Sequence, residues 1–225
     1  MADKSSIFDM IGPVMIGPSS SHTAGVVRIG RVGRKLLGCQ PEEAIITFYN
    51  SFARTYEGHG SDRAILAGLM DMKTDDTNIK HSLDLAKEEG LKYTFRPIAN
   101  ASALHPNSIQ LELKAKGVTI KVLGISRGGG LIKIKKINEF DCNFSANTHT
   151  LIVLADDQIG SISFVSSVLA HDDCNIAEMT VSRKGKHELA CQFFEMDSAP
   201  RPITVKYLQS LKWVKEVTYL PDIDL

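Results

Sequence analysis

The chain has 225 residues, of which 43% are hydrophobic and 23% are charged, as in ordinary soluble globular proteins. Its 26 basic residues balance its 26 acidic residues, so net charge does not favour binding to nucleic acid or to an anionic membrane. The sequence has neither a long apolar run nor the basic-then-apolar pattern of a secretory signal. These properties predict a cytoplasmic protein with one large domain or two ordinary ones.

The four cysteines, at positions 39, 142, 174 and 191, are too far apart for a zinc knuckle, a redox motif or a ferredoxin-type cluster loop. We therefore expect reduced, buried thiols and no metal held by this chain. Three distant histidines could converge on zinc. No carboxylate or thiol at short ligand spacing supports that alternative for His22, His59 and His105.

The segment Gly17-Pro18-Ser19-Ser20-Ser21-His22-Thr23-Ala24-Gly25 precedes a helical pattern over residues 26–37. Free N–H groups at a helix start, together with several hydroxyls, suit a carboxylate or a phosphate. The alternative is an ordinary N-cap with redundant serines. The side chains predicted to bind the anion are Ser19, Ser20, Ser21 and Thr23.

The predicted first helix carries four basic residues, Arg28, Arg31, Arg34 and Lys35, opposite its apolar side. We expect these side chains to form a solvated helix face. Nucleic-acid binding through this face would call for interleaved aromatic residues and a basic excess, and the sequence has neither.

A buried strand is predicted over residues 44–50, and Gly58-His59-Gly60 then precedes a helix over residues 63–70. Ser61 or Asp62 is expected to cap that helix. Flanking glycines let the backbone approach a ligand closely, so His59 is a candidate functional side chain.

The rest of the first domain is predicted to contain a helix over 81–89 and strands over 92–95, 109–114, 118–125 and 131–137. The turn at Gly128-Gly129-Gly130 requires positive φ or a close backbone approach. We place the first domain at residues 1–137, a polar linker at 138–147 and a second domain at 148–225. The second domain has the element order β-α-β-β-α-β of the ferredoxin-like fold. The fold class is therefore mixed α+β.

Residues Met15 to Gly25 resemble the opening of the iron–sulfur-dependent L-serine dehydratases, and more narrowly the β subunit of the two-chain form. The resemblance extends over essentially the whole chain. Gly58–Gly60 and Ser126–Gly130 are similar to segments of that family's substrate cleft. The resemblance implies that His22 and His59 are the candidates for the catalytic base. Further residues implied to line the cleft are Asn50, Ser51, His105, Asn107 and Ser126.

The family's reaction removes a proton from Cα of L-serine and hydroxide from Cβ, and yields pyruvate and ammonia. The resemblance implies a [4Fe-4S] cluster whose cysteine ligands belong to an α subunit. It also implies an active site shared in an αβ heterodimer, inactivity of this chain alone, and a role in serine catabolism and gluconeogenesis.

The second domain resembles the ACT domain, a regulatory fold that often binds amino acids between chains. The effector-binding residues implied by this resemblance are Asp156, Gln158 and Asn175. Ile159 stands where ACT domains usually carry proline, and the domain is expected either to bind an effector or to hold subunits together by self-association.

A different function is also open, because the first domain resembles the allosteric substrate-binding domain of some phosphoglycerate dehydrogenases. On that reading the chain is a serine-sensing module without catalysis. A sensor has no evident use for both His22 and His59, and this distinguishes the two hypotheses.

Overall fold

The computed structural model describes residues 13–100 and 104–223, which form two compact units. The first unit contains the described residues up to Lys135 together with Ile223, and the second contains Lys136–Asp222. The boundary lies close to the predicted end of the first domain at residue 137. In the described residues, no helix is long and apolar enough to cross a membrane.

The first unit combines helices with a mixed sheet. Its helices are α1 (Gly25–Leu37), α2 (Ser51–Thr55), α3 (Ser61–Leu69) and α4 (Ser82–Glu88). Its strands are β1 (Glu43–Tyr49), β2 (Lys92–Ile98), β3 (Ser108–Ala115), β4 (Val118–Gly128) and β5 (Leu131–Ile137). The strand order is β2-β1-β3-β4-β5, with β1 parallel to β2 and antiparallel to β3. The predicted strand 131–137 is confirmed, and the short helix α2 was not predicted.

Helices α1 and α3 pack with their backbones in close contact. A Cβ added at Gly30 would lie 2.7 Å from the Ile65 carbonyl oxygen, and one at Gly68 would overlap the Val27 carbonyl. Only glycine permits this approach. The packing places the segment before α1 beside the start of α3, where the Ser61 hydroxyl donates to the His22 carbonyl oxygen at 2.8 Å.

The expectation of a solvated basic face on α1 is wrong for two of its four residues. Arg28 is fully buried and Arg31 is 8% exposed. Arg31 pairs with Asp71, which also binds Lys35. Periodicity in α1 is misleading because the helix contacts both α3 and β4, which leaves little of its surface in solvent.

The predicted cap of α3 also differs from the structure. Gly60, with φ 71°, is the N-cap residue, and its lack of a side chain leaves no side-chain cap hydrogen bond. Ser61 lies one position inside the helix, where its hydroxyl binds the His22 carbonyl instead. Asp62 accepts from the Arg63 backbone N–H at 2.8 Å.

The second unit has the ferredoxin-like fold. Its elements are β6 (Phe140–Phe144), β7 (His149–Asp156), α5 (Ser161–His171), β8 (Ile176–Arg183), β9 (Leu189–Met196), α6 (Pro202–Gln209) and β10 (Val214–Leu220). The strand order β10-β7-β9-β8, antiparallel throughout, confirms the predicted β-α-β-β-α-β plan. The core beneath the two helices includes Leu151, Val153, Val165, Phe194 and Leu208.

The segment 138–147, predicted as a linker, contains strand β6. Phe140, Cys142 and Phe144 are buried, and the Phe144 ring stacks on Phe193 with centroids 6.1 Å apart. The carboxylate of Glu195 accepts from the Ser145 hydroxyl at 2.8 Å. Alternating apolar residues among polar neighbours produce this half-buried strand. The segment is therefore part of the second unit's packing.

Candidate active site

The serine-rich segment forms a π-helical turn, Ser20–Ala24, that continues directly into α1. Ser19 precedes the turn in an extended conformation, and its Oγ accepts from the His22 backbone N–H at 3.3 Å. The turn is therefore more compact than the predicted loop, and its hydroxyls lie around the first residues of a long helix.

His22 is held on one side by hydroxyls. Its Nδ1 lies 3.0 Å from Ser21 Oγ and 3.3 Å from Ser19 Oγ. Its Nε2 is buried and has no hydrogen-bond partner among the described residues. Burial, and secondarily the neighbouring His59, lower the pKa of His22 below its ordinary value of 6.5. The imidazole is therefore held in its neutral form near pH 7.

His59 contacts His22 directly. The two ring centroids lie 4.6 Å apart with the planes at 86°, an edge-to-face contact. The Phe52 ring of α2 contacts the His22 ring in a similar way at 4.8 Å. His59 itself is exposed. The structure thus brings together the two histidines that the sequence pointed to separately, one half-buried and one accessible.

The glycine turn between β4 and β5 lies against the serine segment. Gly128, Gly129 and Gly130 all have positive φ, between 60° and 95°, which confirms the predicted conformation. The Gly129 N–H donates to Ser20 Oγ at 3.1 Å. Just before this turn, Ser126 is fully buried, and a Cβ added at Gly25 would overlap its hydroxyl. Two buried hydroxyl oxygens near the start of α1 have no partner among the described residues, namely Thr23 Oγ1 and Ser126 Oγ.

The remaining predicted lining residues form a second group around residues 104–108. Asn50, with φ 52°, donates from Nδ2 to the Leu104 carbonyl at 3.0 Å. The Ser51 N–H donates to the Pro106 carbonyl at 3.0 Å. Asn50 and Ser51, with Arg54 and Pro106, line a cleft of about 440 Å³.

His105 and Asn107 belong to this second group. His105 Nδ1 accepts from the Asn107 N–H at 3.1 Å. Partial burial, followed by the charges of Arg127 and Lys135, lowers the pKa of His105. The Asn107 carbonyl accepts from the Ser126 N–H at 3.0 Å, which ties this group to the strand that carries Ser126.

The donor side chains of the described residues do not fit an iron–sulfur cluster. Within residues 13–100 and 104–223, no three of the histidine, cysteine, aspartate and glutamate side chains are grouped as metal ligands would be. Cys142, Cys174 and Cys191 are buried in the second unit, and Cys39 is half-buried in the first. Burial raises the pKa of the Cys191 thiol to about 12, which disfavours the thiolate that a metal requires.

The three predicted effector residues lie at one end of the second unit's strands or in its turns. Asp156 pairs with Lys215 at 2.8 Å, and Asn175 donates to the Asp197 carboxylate at 2.6 Å. Gln158 is exposed in the turn before α5.

Two features of the site were missed in the sequence. The Ser61 hydroxyl, taken for a helix cap, holds the His22 backbone, and Phe52 packs on the His22 ring. The position of Ser61 directly after Gly-His-Gly was the sequence signal for its role. No sequence signal pointed to Phe52, because a lone phenylalanine after a strand is an ordinary core residue.

A family model described as "Serine dehydratase beta chain" matches residues 6–136. The chain is 42% identical over 217 residues to the "Probable L-serine dehydratase, beta chain" of Bacillus subtilis (strain 168), covering 96% of this chain and 98% of the relative. It is 34% identical over 214 residues to the "L-serine dehydratase, beta chain" of Peptoniphilus asaccharolyticus, covering 95% of each. A weaker similarity, 26% over 197 residues, links 86% of this chain to 36% of the "D-3-phosphoglycerate dehydrogenase" of Bacillus subtilis (strain 168).

Among solved structures, the chain is similar to the ACT domain from the GTP pyrophosphokinase of Chlorobium tepidum, with a TM-score of 0.28 and 14% identity. That match covers 34% of this chain and 89% of the other. The ferredoxin-like fold of the second unit rests on its own strand order. The model match and the two long alignments show that the chain belongs to the serine dehydratase beta chain family.

Proposed function

We propose that this chain forms one side of the active site of an L-serine dehydratase, which eliminates water from L-serine and releases pyruvate and ammonia. An α subunit supplies the other side. The observation that carries this proposal is the contact between His22 and His59 beside the hydroxyl-rich start of α1. This arrangement combines a proton acceptor with an anion-binding surface, as a reaction on an amino acid requires.

The carboxylate of L-serine would bind at the start of the continuous helix that the π-helical turn forms with α1. The helix start carries partial positive charge, and hydroxyls of Ser19, Ser20, Ser21, Thr23 and Ser126 surround it. A buried hydroxyl without a partner loses free energy that a bound ligand can restore. Thr23 Oγ1 and Ser126 Oγ are two such groups. These hydroxyls therefore support binding of a small carboxylate.

His59 is the proposed acceptor of the Cα proton. It is exposed, whereas the ring of His22 is held by two serine hydroxyls and its Nε2 is buried. A general base must come within hydrogen-bond distance of the proton that it removes, which favours the accessible ring. His22, held neutral, places no like charge beside His59 when His59 becomes protonated.

Loss of the Cα proton and of hydroxide from Cβ leaves an enamine, which tautomerises to an imine and is hydrolysed to pyruvate and ammonia. We propose that the [4Fe-4S] cluster implied by the resemblance is ligated by the α subunit; in the part of the chain that the structure describes, the donor side chains are not grouped as metal ligands, which supports this proposal. We assign to this chain carboxylate binding and proton transfer, and no step at the Cβ hydroxyl.

The second unit is proposed to join two copies of the chain. Its edge strand β8 exposes Met179 and Val181. Ile159 is exposed in the turn before α5, and Ile162 is exposed in the first turn of that helix. An edge strand with apolar side chains favours pairing with another strand. Binding of an amino-acid effector by Asp156, Gln158 and Asn175 is proposed at the same unit, and the cytoplasm is the proposed location.

A serine-sensing function without catalysis is the second candidate. The similarity to part of a D-3-phosphoglycerate dehydrogenase favours it. That relative is named for a different reaction, so a region similar to this chain occurs in a protein that is not named as a serine dehydratase. The histidine pair favours dehydratase chemistry, since binding a carboxylate requires hydroxyls and amides but no base.

The test is an anaerobic assay of pyruvate formation from L-serine, with this chain alone and with the cluster-bearing α chain. We expect activity only in the mixture. Equal activity of the α chain without this chain would exclude a shared site and would favour the sensor.

A further inference from the structure

Arg28 of α1 carries a charge but is fully buried, and its guanidinium donates to backbone carbonyls. Its Nε and Nη2 donate to the Ile223 carbonyl oxygen at 3.1 and 2.6 Å. Its Nη1 donates to the Gly130 carbonyl oxygen at 2.9 Å. One guanidinium therefore joins helix α1, the glycine turn and the segment that follows β10.

The glycine turn is next to the serine segment. Gly129 N–H donates to Ser20 Oγ at 3.1 Å, and Ser20 opens the π-helical turn that contains His22. Three consecutive glycines have a large conformational freedom when nothing restrains them. Arg28 restrains this turn at Gly130, directly beside the amide that binds Ser20.

We propose that Arg28 is a positioning residue for the serine segment, acting through the glycine turn, and that Ile223 completes its support. The inference rests on the proposed dehydratase function. Arg28 holds the glycine turn through the Gly130 carbonyl oxygen, which accepts from its Nη1. Its effect on catalysis passes from Gly130 to Gly129 and from there to Ser20.

Arginine is suited to this position because its planar fork of donors reaches two carbonyls at once. Lysine carries the same charge but is a point donor on a flexible stem, so it cannot keep both contacts with the same geometry. The substitution Arg28→Lys therefore keeps the positive charge but loses the paired hydrogen bonds to the Ile223 and Gly130 carbonyls.

The test compares Arg28→Lys with Arg34→Lys in the complex with the α chain. Arg34 lies on the same helix and also donates to a backbone carbonyl, that of Leu69 at 2.9 Å, but not to the glycine turn. Small displacements of positioning groups cost up to about 100-fold in rate. We expect Arg28→Lys to lower kcat/KM for L-serine by about 10- to 100-fold, and Arg34→Lys to leave it within about twofold of the wild type.

Coupling to Ser20 separates positioning from general destabilisation. Substitutions that act through one network are not additive. The double variant Arg28→Lys/Ser20→Ala is expected to lose no more kcat/KM than the more damaging single variant. If the kcat/KM losses of the two single variants multiply in the double variant, Arg28 does not act through Ser20, and the proposal is overturned.

A readout on the free chain keeps this inference separate from the proposed function. In protein with ¹⁵N-labelled histidine, we expect the ring signals of His22 to shift in Arg28→Lys and to remain in place in Arg34→Lys. Unchanged His22 signals in folded Arg28→Lys would overturn the inference even if the wild-type complex is active. An inactive wild-type complex would instead overturn the proposed function.

If Arg28→Lys does not fold, deletion of residues 223–225 takes its place. This deletion removes the Ile223 carbonyl and leaves the Gly130 contact. We expect the same direction of change in kcat/KM and in the His22 signals, with a smaller size. Wild-type values for both would contradict the role of Ile223 and Arg28.

Discussion

At the scale of single residues, His22 shows how burial and a neighbour prepare a side chain for a site. The hydroxyls of Ser19 and Ser21 fix its Nδ1, while burial and His59 disfavour its protonated form. The His22 ring is therefore neutral and packs edge-to-face against His59. The sequence pointed to both histidines because of their polar and glycine-rich surroundings, but their edge-to-face contact depends on how α1 and α3 pack and could not be inferred from local patterns.

The lowered pKa of His22 predicts a pH dependence of stability. The unfolded chain binds a proton to this histidine near pH 6.5, whereas the folded chain binds it only at lower pH. The free energy of unfolding should therefore fall as the pH drops below about 6.5 towards the pKa of the folded state.

Urea unfolding of wild type and His22→Asn between pH 5 and 7.5 measures this effect. The variant should show a smaller decrease in the free energy of unfolding over that range. His105→Asn should also reduce the decrease, since the pKa of His105 is lowered as well. Parallel curves for wild type and His22→Asn would refute the assignment.

At the scale of elements, the strand and helix periodicities predicted most of the framework. Strand β5 and the order of the ferredoxin-like unit agree with the structure. Strand β6 was missed because the five-residue segment lies among polar residues, and Arg28 was misplaced because helix periodicity does not reveal that α1 is covered by both α3 and β4. These errors share one cause, which is that burial is set by tertiary contacts.

The contact between α1 and α3 predicts a large effect at Gly68. A methyl group there would overlap the Val27 carbonyl of α1. Overpacking of this kind costs about 1–3 kcal/mol or more. Gly68→Ala should lower the free energy of unfolding by at least that amount in urea titrations.

Gly58→Ala is the matched control for this stability measurement. A Cβ at Gly58 would lie 3.9 Å from the Thr55 carbonyl oxygen, an ordinary van der Waals distance. Its free energy of unfolding should stay within about 0.5 kcal/mol of the wild type. Equal losses in both variants would show that the backbone contact between α1 and α3 does not limit stability.

At the scale of the whole molecule, each unit has its own core and its own proposed role. The first unit carries the histidine pair, and the second carries the exposed apolar edge. The roles of the second unit could not be separated by sequence, because the ferredoxin-like fold supports both assembly and effector binding.

Self-association through β8 predicts that a charge on this edge separates the copies. The double variant Met179→Lys/Val181→Lys should lower the sedimentation coefficient of the chain to that of a monomer, because it buries two unpaired charges in the contact. Ser210→Lys, at an exposed position after α6, adds a charge away from that edge and should leave the value unchanged. A wild-type sedimentation coefficient in the double variant would place the contact elsewhere.

The most direct measurement of the central claim is the anaerobic turnover of L-serine by the complex with His59→Ala or His22→Ala in this chain. Removing a general base typically costs about 100- to 10,000-fold. We expect a loss in kcat of that size for His59→Ala, and a loss for His22→Ala through its contact with His59. Full turnover in both variants would contradict a shared active site and would leave this chain a sensor of serine.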